Sequence, residues 1–476
     1  METIGVQDQS NIDPKLLENR ELGTKTISSL FYRYITFAIL GNVFLVLPTF
    51  IDGNILGQLG PEKMAGVGIG LTILVLSRAI GTFIGVGTGA VVALRLGAGK
   101  VEEARSIAGQ SIWFCVIFST VISILGYINN ESIMRFFGAN DTTLPFAMQF
   151  GLYIWIAFPF QVLALILGIL TILDERPALS MISWLGGGIL AAIIELILFH
   201  KFHFGVAASA WAGSIGPAVP SLLIFYFIFS KSLLKPKLKD IRIKLNTLKE
   251  VSATGFPSFS IQITMFISII FINNLLVSLG GELHVSAFTI QNAYITNFLM
   301  FVVMGITTGI QPLISYNYGA KLYDRVNKIT SLGMKFTFIL SLFLTLLIYF
   351  FTDSIVNFFT GGDPAFQNLG VWSTRVFNLT FPLAAIVLFI SCYFQSIEQT
   401  TKSTFIAIGR SFLFLIPLFY ILPKFFGVNG VWYSIPVADI LAFSTAIYFM
   451  YREFHRLNQL KLIEYKDTKE VSTKLA

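Results

Sequence analysis

One carboxylate lies in an otherwise apolar stretch near the start of the chain. The stretch is FLVLPTFIDGNILGQLG, residues 44–60, and Asp52 follows four residues after Pro48, a residue type that kinks helices. A carboxylate inside hydrocarbon costs about 2.5–3.5 kcal/mol even on a lenient scale. It is tolerated where it faces a partner or a watery cavity, or where it takes up a proton, so Asp52 is predicted to mark a pathway through a membrane. The alternative is that Asp52 lies at the membrane surface, in a turn before Gly57.

The composition is typical of a polytopic membrane protein. Of the 476 residues, 55% are hydrophobic and only 12% are charged, whereas soluble domains carry about 25% charged residues. Apolar runs long enough to cross a bilayer recur along the chain. We therefore predict an all-α fold with twelve transmembrane helices. The predicted segments are 30–56, 64–93, 107–128, 146–173, 178–199, 206–230, 254–279, 284–314, 331–352, 368–396, 403–422 and 430–451.

The basic residues are distributed unequally between the two sides of the membrane. Loops after even-numbered segments, together with both tails, hold most of the lysines and arginines. This asymmetry predicts a multi-pass cell-membrane protein with both termini in the cytoplasm. It also accounts for the net charge of +7 without a nucleic-acid partner. The predicted organisation is a cytoplasmic tail (1–27), a six-helix bundle (28–230), a solvated basic linker (231–252), a second six-helix bundle (253–451) and a cytoplasmic tail (452–476).

The two predicted bundles resemble each other in sequence. An offset of 220 residues aligns Gly85 with Gly305, Gly89 with Gly309, Gly99 with Gly319 and Arg105 with Arg325, and an offset of 223 aligns Pro159 with Pro382 and Glu175 with Glu398. An even number of segments in each half gives both halves the same orientation. The pattern therefore predicts a parallel repeat of six plus six helices, an arrangement that places a substrate site between the halves.

Glu175 and Glu398 occupy equivalent helix joints on the predicted cytoplasmic side. Glu175 is followed by Arg176 and Pro177, which is typical of a turn between two helices. The pair is interpreted as a repeated turn-and-cap feature, with a hinge or inner gate as the alternative.

Motifs for enzyme chemistry are absent from the sequence. It contains no Walker motif, no HExxH and no zinc-like Cys/His cluster. A membrane-embedded enzyme would also need a nucleophile–base pair inside the bilayer, and the four histidines fall near predicted helix ends. We expect neither a metal site nor an enzyme.

Several motifs together resemble a known family. They are IDGNILGQLG (51–60), LGAGK (96–100), GFPSF (255–259), GIQPLISYNYGAK (309–321) and SIPVAD (434–439). In this order, and on top of the repeat, they resemble the multidrug and toxic compound extrusion (MATE) transporters of the multidrug/oligosaccharidyl-lipid/polysaccharide flippase superfamily. The resemblance implies two six-helix bundles around a V-shaped cavity. It also implies export of drugs driven by inward movement of H⁺ or Na⁺.

The resemblance places an ion site in the first half of the chain. Asp52 matches the acidic residue of the family's first helix, and Glu195 stands where the fifth helix carries an Asp. Two other positions have lost oxygen donors: Ala191 replaces an Asn, and Gly213, with Ser214 beside it, replaces a Thr. Sodium needs five or six oxygens. A proton needs only one carboxylate of raised pKa, and burial and a neighbouring carboxylate both raise it.

Asp52 and Glu195 are therefore predicted to be a proton-coupling pair, with bending at Pro48. The coupling ion is H⁺, with Na⁺ as the less favoured alternative, and no other cofactor is expected. The competing interpretation of Glu195 is a structural acid paired with Arg78. For Asp439 we expect a structural partner such as Arg410 or Arg375.

Polar residues of the eighth segment are weaker candidates for a substrate cavity. Gln291, Tyr294 and Asn297 could line it, and interhelical hydrogen bonding explains them equally well.

The predicted function is secondary antiport, in which cationic amphipathic compounds leave in exchange for protons. The predicted partners are small-molecule cations and membrane lipids, and the protein is expected to be a monomer. One alternative is a flippase for lipid-linked oligosaccharides or lipids, which would favour a basic cavity. Another is a receptor or scaffold without a transport cycle, which the repeat and the paired carboxylates disfavour.

Overall fold

The computed structural model describes residues 20–44, 55, 61–230, 232–360 and 364–475, and within them the chain is helical, with no strand. Twelve long segments follow one another, as the sequence predicted. The first bundle, called the N lobe, holds α1 to α6. Their bounds are α1, Ile27–Phe44; α2, Pro61–Gly97; α3, Val101–Ile128; α4, Leu144–Leu173; α5, Pro177–His200; and α6, formed by Val206–Ser221 and Leu223–Phe229.

The second bundle, the C lobe, has more interrupted helices. Its segments are α7, Leu245–Gly280; α8, formed by Glu282–Ile290, a π-helical turn at Gln291–Thr296, and Asn297–Gly319; α9, Tyr323–Thr360; α10, formed by Pro364–Asn378 and Phe381–Ser396; α11, formed by Thr400–Ile408, a π-helical turn at Gly409–Leu415, and Ile416–Phe426; and α12, Val428–Leu475. The two parts of α10 meet at an angle of 40°. Pro382 begins the second part, and because proline has no N–H to donate, it is tolerated at a helix start.

The helices are long and apolar enough to cross a membrane. Ten of the described helices meet this test singly, and the bent α10 adds an eleventh. The described part of α1 spans 18 residues and is the remaining segment of the predicted twelve. Three short helices lie outside these segments: Glu21–Thr24 before α1, Asn130–Phe136 between α3 and α4, and Leu238–Ile241 in the linker.

The structural repeat has an offset of 222 residues at the turns after α2 and α8 and before α6 and α12, and of 223 residues at Glu175 and Glu398. The 223-residue alignment is therefore confirmed, and the 220-residue alignment of the glycines is wrong by two. The turn after α2 places Gly99 at φ 78°, and the turn after α8 places Lys321 at φ 58°. The same holds for the turns before α6 and α12, where Gly205 has φ 57° and Gly427 has φ 56°. Glycine spacing alone did not fix the register, because small residues recur every second or fourth position in α2.

The corrected offset explains how the lobes touch. Gly97 of α2 packs on the backbone of Tyr316 in α8 and of Ala320 just after it. Gly319 of α8 packs on the backbone of Leu94 in α2. These contacts are reciprocal, since Gly97 and Leu94 correspond to Gly319 and Tyr316. Small residues allow helix backbones to approach closely in lipid, so this pair sets the approach of the two lobes.

Contacts between the lobes concentrate at one end, which we call the linker side because the linker lies there. In the described chain, the hydrogen bonds between lobes are Gln311 Nε2 to Val86 O (3.1 Å), Asn317 Nδ2 to Leu22 O (3.0 Å), Arg325 Nη2 to Leu22 O (3.2 Å) and to Lys25 O (2.8 Å), and Arg95 Nη2 to Glu250 Oε1. All of them lie in the linker-side halves of their helices. The structure is therefore closed on this side.

The linker is docked on the N lobe rather than free in solvent. Its lysines are exposed as expected, but Asp240 is only 3% exposed. Arg105 Nη1 of α3 donates to Asp240 Oδ2 at 2.7 Å, and Gly109 leaves room for that carboxylate. Further along, the backbone N–H of Lys244 donates to Gln110 Oε1 at 2.8 Å. The sequence did not reveal this clamp, because its acid stands alone among lysines and its partner is 135 residues away.

Alanine at Gly97 is expected to destabilise the protein. Its Cβ would meet the backbone of Tyr316 and Ala320, which cannot rotate aside as a side chain can. Overpacking of this kind costs about 1–3 kcal/mol, so the melting temperature of the detergent-solubilised protein should fall. Gly68→Ala in the same helix is the matched control, because nothing lies within 4 Å of its Cβ. Equal melting temperatures for the two variants would contradict this account.

Candidate ion-coupling and gating sites

Glu195 lies on the buried face of α5. The helix starts with Pro177 at its first turn and ends at His200, so Glu195 is near the end opposite the linker side. The buried residues of its second half are Gly187, Ala191 and Glu195, spaced four apart on one face. Gly187 and Ala191 pack on Gly216 of α6, and Glu195 is completely buried. A stripe of two small residues and one acid thus faces the interior of the N lobe.

The structure tests the predicted ion site only in part. Asp52 and Pro48 lie outside the described residues, so their pairing with Glu195 and their role in bending stay predictions. The alternative pairing of Glu195 with Arg78 is not found among the ion pairs of the described residues.

Few oxygen atoms that could bind an ion stand beside Glu195 at the positions that match the family's ion site. Ala191 and Gly213 have none, and the Cβ position of Gly213 is filled from the side by Ile154 at 3.0 Å. Ser214 keeps a hydroxyl, but its proton is shared between the carbonyls of Ala210 at 2.8 Å and Tyr153 at 3.2 Å. At these described positions, Glu195 is therefore the only charged oxygen donor.

The predicted cavity residues of α8 are separated by the structure. Gln291 is completely buried, and its Nε2 donates to Thr296 Oγ1 at 3.0 Å across the π-helical turn. Asn297 is exposed, and the side chain of Tyr294 lies outside the described part of the chain. Gln291 and Asn297 therefore do not share one surface in this conformation. π-Helical turns are frequent at functional sites, so the turn at Gln291–Thr296 remains a candidate functional region.

Asp439 has the structural partner that the sequence predicted. Arg410 Nε donates to Asp439 Oδ1 at 2.5 Å, and Thr380 Oγ1 donates to Oδ2 at 2.8 Å. The carboxylate is 2% exposed and joins α10, α11 and α12. Arg375, the other candidate, instead pairs with Asp353 at 2.7 Å. Asp439 is therefore a buried acid neutralised by an arginine.

Glu175 and Glu398 form matching turns, which confirms the turn interpretation. Glu175 has φ 63° and Glu398 has φ 58°. Each turn carries the two hydrogen bonds of a Schellman motif: Glu175 N to Ile172 O (3.1 Å) and Arg176 N to Thr171 O (3.1 Å), repeated as Glu398 N to Gln395 O (3.2 Å) and Gln399 N to Phe394 O (2.9 Å). Glycine is the usual residue at this left-handed position, and a side chain there costs roughly 1–2 kcal/mol. The same left-handed conformation is adopted by Lys321 and His203, so what the glutamates do follows from their contacts.

Glu175 contacts the short helix that precedes α1 and bonds to both lobes. The backbone N–H of Leu22, in the short helix Glu21–Thr24, donates to Glu175 Oε1 at 3.3 Å. The carbonyl of the same Leu22 accepts from Asn317 and Arg325 of the C lobe. One buried residue thus connects the N-lobe turn to α8 and α9. Burial raises the pKa of Glu175, while Arg20 and the Leu22 N–H oppose that rise.

Glu398 faces the inter-lobe contact on the opposite flank. Burial raises its pKa too, with Arg95 of α2 lowering it and Glu250 of α7 raising it. Arg95 pairs with Glu250 and also lies 3.3 Å from Glu103. Each turn therefore holds a glutamate beside the contacts that close the linker side, and their role as a gate stays a prediction.

Glu175→Gln is expected to make closure of the linker side less sensitive to pH, with the remaining dependence due to Glu398. The raised pKa of Glu175 belongs to the closed state, where burial disfavours the charged form, so acid should favour closure and alkali should favour opening. Electron–electron distances between spin labels on α2 and α8 would report this in a pH titration that begins in the ordinary range of a glutamate and runs upward, because burial raises the pKa of Glu175 above that range. Glu131→Gln, at an exposed position on the opposite side, is the control. An unchanged pH response in Glu175→Gln would refute the gate.

Comparisons with known proteins agree with this architecture. The MatE family model matches residues 38–197 and 257–421, one stretch in each lobe. The chain is 23% identical to the multidrug export protein MepA of Staphylococcus saprophyticus, over 92% of this chain and 97% of that protein. It is likewise 23% identical to MepA of Staphylococcus aureus strain NCTC 8325, over 87% of this chain and 91% of that one.

Solved structures share the fold. A superfamily transporter from Pyrococcus furiosus, described as having a binding pocket of reversed polarity, aligns with a TM-score of 0.86 at 23% identity, covering 93% of this chain and 98% of that one. An outward-facing multidrug resistance MATE transporter aligns with a TM-score of 0.83 at 24% identity, covering 92% and 99%. With both lobes matched by the family model, the chain belongs to the MatE family of membrane transporters and is not an enzyme.

Proposed function

We propose that this transporter exports cationic amphipathic compounds in exchange for protons. The observation that carries the proposal is the complete burial of Glu195 on the small-residue face of α5. A carboxylate at that depth is costly as an anion, and it gains from either a proton or a cationic substrate. The relatives named multidrug export proteins support the substrate class.

A proton is favoured over sodium by the oxygen donors around this position. Sodium would need several oxygens, yet Ala191 and Gly213 supply none and Ser214 gives its proton to backbone carbonyls. A single carboxylate is enough to carry a proton. Asp52, which lies outside the described residues, is proposed as the second member of the pair.

During transport the lobes would close at one end of the protein while they open at the other. The linker-side contacts define one end of the cycle, and opening that side would break the bonds of Leu22 with Asn317 and Arg325. The excess of basic residues in the loops of this side supports a cytoplasmic location for it, and with that orientation the present closure would correspond to release outside. Proton and substrate affinities would then be coupled reciprocally, as linkage requires.

The flippase alternative is less well supported. It would favour a basic cavity for an anionic, lipid-linked cargo, but Arg410 in the C lobe is already matched by Asp439 and Arg375 by Asp353. The proposal therefore keeps small cations as cargo, membrane lipids as surroundings and a single chain as the working unit.

Proteoliposomes with imposed gradients test the proposal. We expect ethidium transport to follow a proton gradient and not a sodium gradient. Glu195→Gln should reduce it to the level of empty liposomes, because the neutral amide can neither release a proton nor attract the cation. Asp52→Asn should act in the same direction.

Glu131→Gln is the matched control, since it removes one exposed carboxylate of the same lobe. Sodium-driven transport would overturn proton coupling. Transport by Glu195→Gln at the rate of the unmodified protein would overturn the role of Glu195. Failure of both gradients to move ethidium, with anionic lipid-like cargo moved instead, would favour the flippase.

A further inference from the structure

The two lobes carry equivalent faces on α3 and α9, and they are covered differently. The 222-residue offset fixed by the turns relates the two helices. It pairs Arg105, Ser106, Gly109, Gln110 and Trp113 of α3 with Asn327, Lys328, Ser331, Leu332 and Lys335 of α9.

On the N lobe, the linker fills this face. Asp240 places its carboxylate on Arg105 at 2.7 Å and against Gly109, and the Lys244 N–H bonds to Gln110. Arg105, Gly109 and Gln110 are buried as a result. The α3 face of the N lobe therefore binds an anionic group, the carboxylate of Asp240.

On the C lobe, the same face is an open groove of about 320 Å³, lined by the five α9 residues paired above. Lys328, Ser331 and Lys335 are exposed. At one edge, Asn327 Nδ2 donates to Asn458 of α12 at 3.3 Å. The helix α12 runs on to Leu475 instead of turning across the groove as the linker does. Within the described residues, no segment takes the place of Asp240.

The groove lies at the level of lipid headgroups. Lys335 is the last charged residue before the uncharged stretch 336–352, and the next charge is Asp353. That stretch spans about 26 Å at the helical rise per residue, close to the roughly 30 Å hydrocarbon thickness. Lysines at such a boundary reach toward the interface. The lining residues offer two ammonium groups and a hydroxyl, and they include no carboxylate.

We propose that this groove binds the phosphodiester headgroup of an anionic phospholipid from the leaflet on the linker side. Lys328 and Lys335 hold the phosphate charge, and Ser331 between them donates a hydrogen bond. The lipid supplies to the C lobe the anion that Asp240 supplies to the N lobe. This inference rests on the repeat and the groove, and it is independent of the transported substrate.

Native mass spectrometry of the purified full chain tests the proposal. Phosphatidylglycerol and phosphatidylcholine would be titrated separately into the detergent-solubilised protein. Each lysine near an anionic headgroup contributes a roughly fivefold gain in affinity. The Lys328→Gln/Lys335→Gln variant should therefore bind the tightest phosphatidylglycerol roughly 25-fold more weakly, with its binding of phosphatidylcholine unchanged.

The control is Lys239→Gln/Lys249→Gln, which removes two exposed lysines from the linker side but outside the groove. It should bind phosphatidylglycerol as the unmodified protein does. Equal weakening in both variants would show a general charge effect and overturn the groove.

Two further measurements separate other sources of the anion. Displacement of the lipid by millimolar inorganic phosphate would show a phosphate site rather than a lipid site. Stronger lipid binding after removal of residues 461–476 would show that the chain's own C-terminal tail, through its acids Glu464, Asp467 and Glu470, occupies the groove. Either result would overturn the proposal, and their absence together with the lysine effect would support it.

Discussion

The cost of a charge inside hydrocarbon governs how this chain uses its few buried acids. In the C lobe the cost is met by pairing, because Arg410 and Thr380 hold both oxygens of Asp439. In the N lobe, Glu195 is buried on a face made of small residues. The two lobes therefore share a fold but hold their buried acids differently: the C lobe pairs Asp439 with an arginine, and the N lobe places Glu195 beside small residues. In the proposed mechanism, Glu195 is the acid that exchanges a proton.

The linker side combines rigid and titratable contacts. Gly97 and Gly319 bring the backbones of α2 and α8 together, while Leu22 connects Glu175 to Asn317 and Arg325. The glycine contact sets the distance, and the glutamate turns sit beside bonds that must break for opening. Clamping of the linker to Arg105 keeps residues 237–244 with the N lobe.

Sequence patterns predicted the helices well because each is a long apolar run bounded by charges or turn residues. They predicted Glu175 and Glu398 as turns because Pro177 follows one of them, and Arg410 as a partner of Asp439 because both stand in apolar sequence. They missed the repeat offset, since glycines at short spacing match in several registers, and the turns that fix it are a property of the backbone. They missed the Arg105–Asp240 clamp, because pairing across 135 residues leaves no local pattern. For Gln291 the sequence left cavity lining and hydrogen bonding equally open, and the structure shows it buried and hydrogen-bonded to Thr296.

The central claim is that one site in the N lobe exchanges a proton for a cationic substrate. Proton release on substrate binding tests it most directly, in weakly buffered detergent solution with a pH-indicator dye and tetraphenylphosphonium as the ligand. The account predicts that the unmodified protein releases protons as the cation binds, and that Glu195→Gln releases fewer. Binding without proton release, or release that is unchanged in Glu195→Gln, would contradict it.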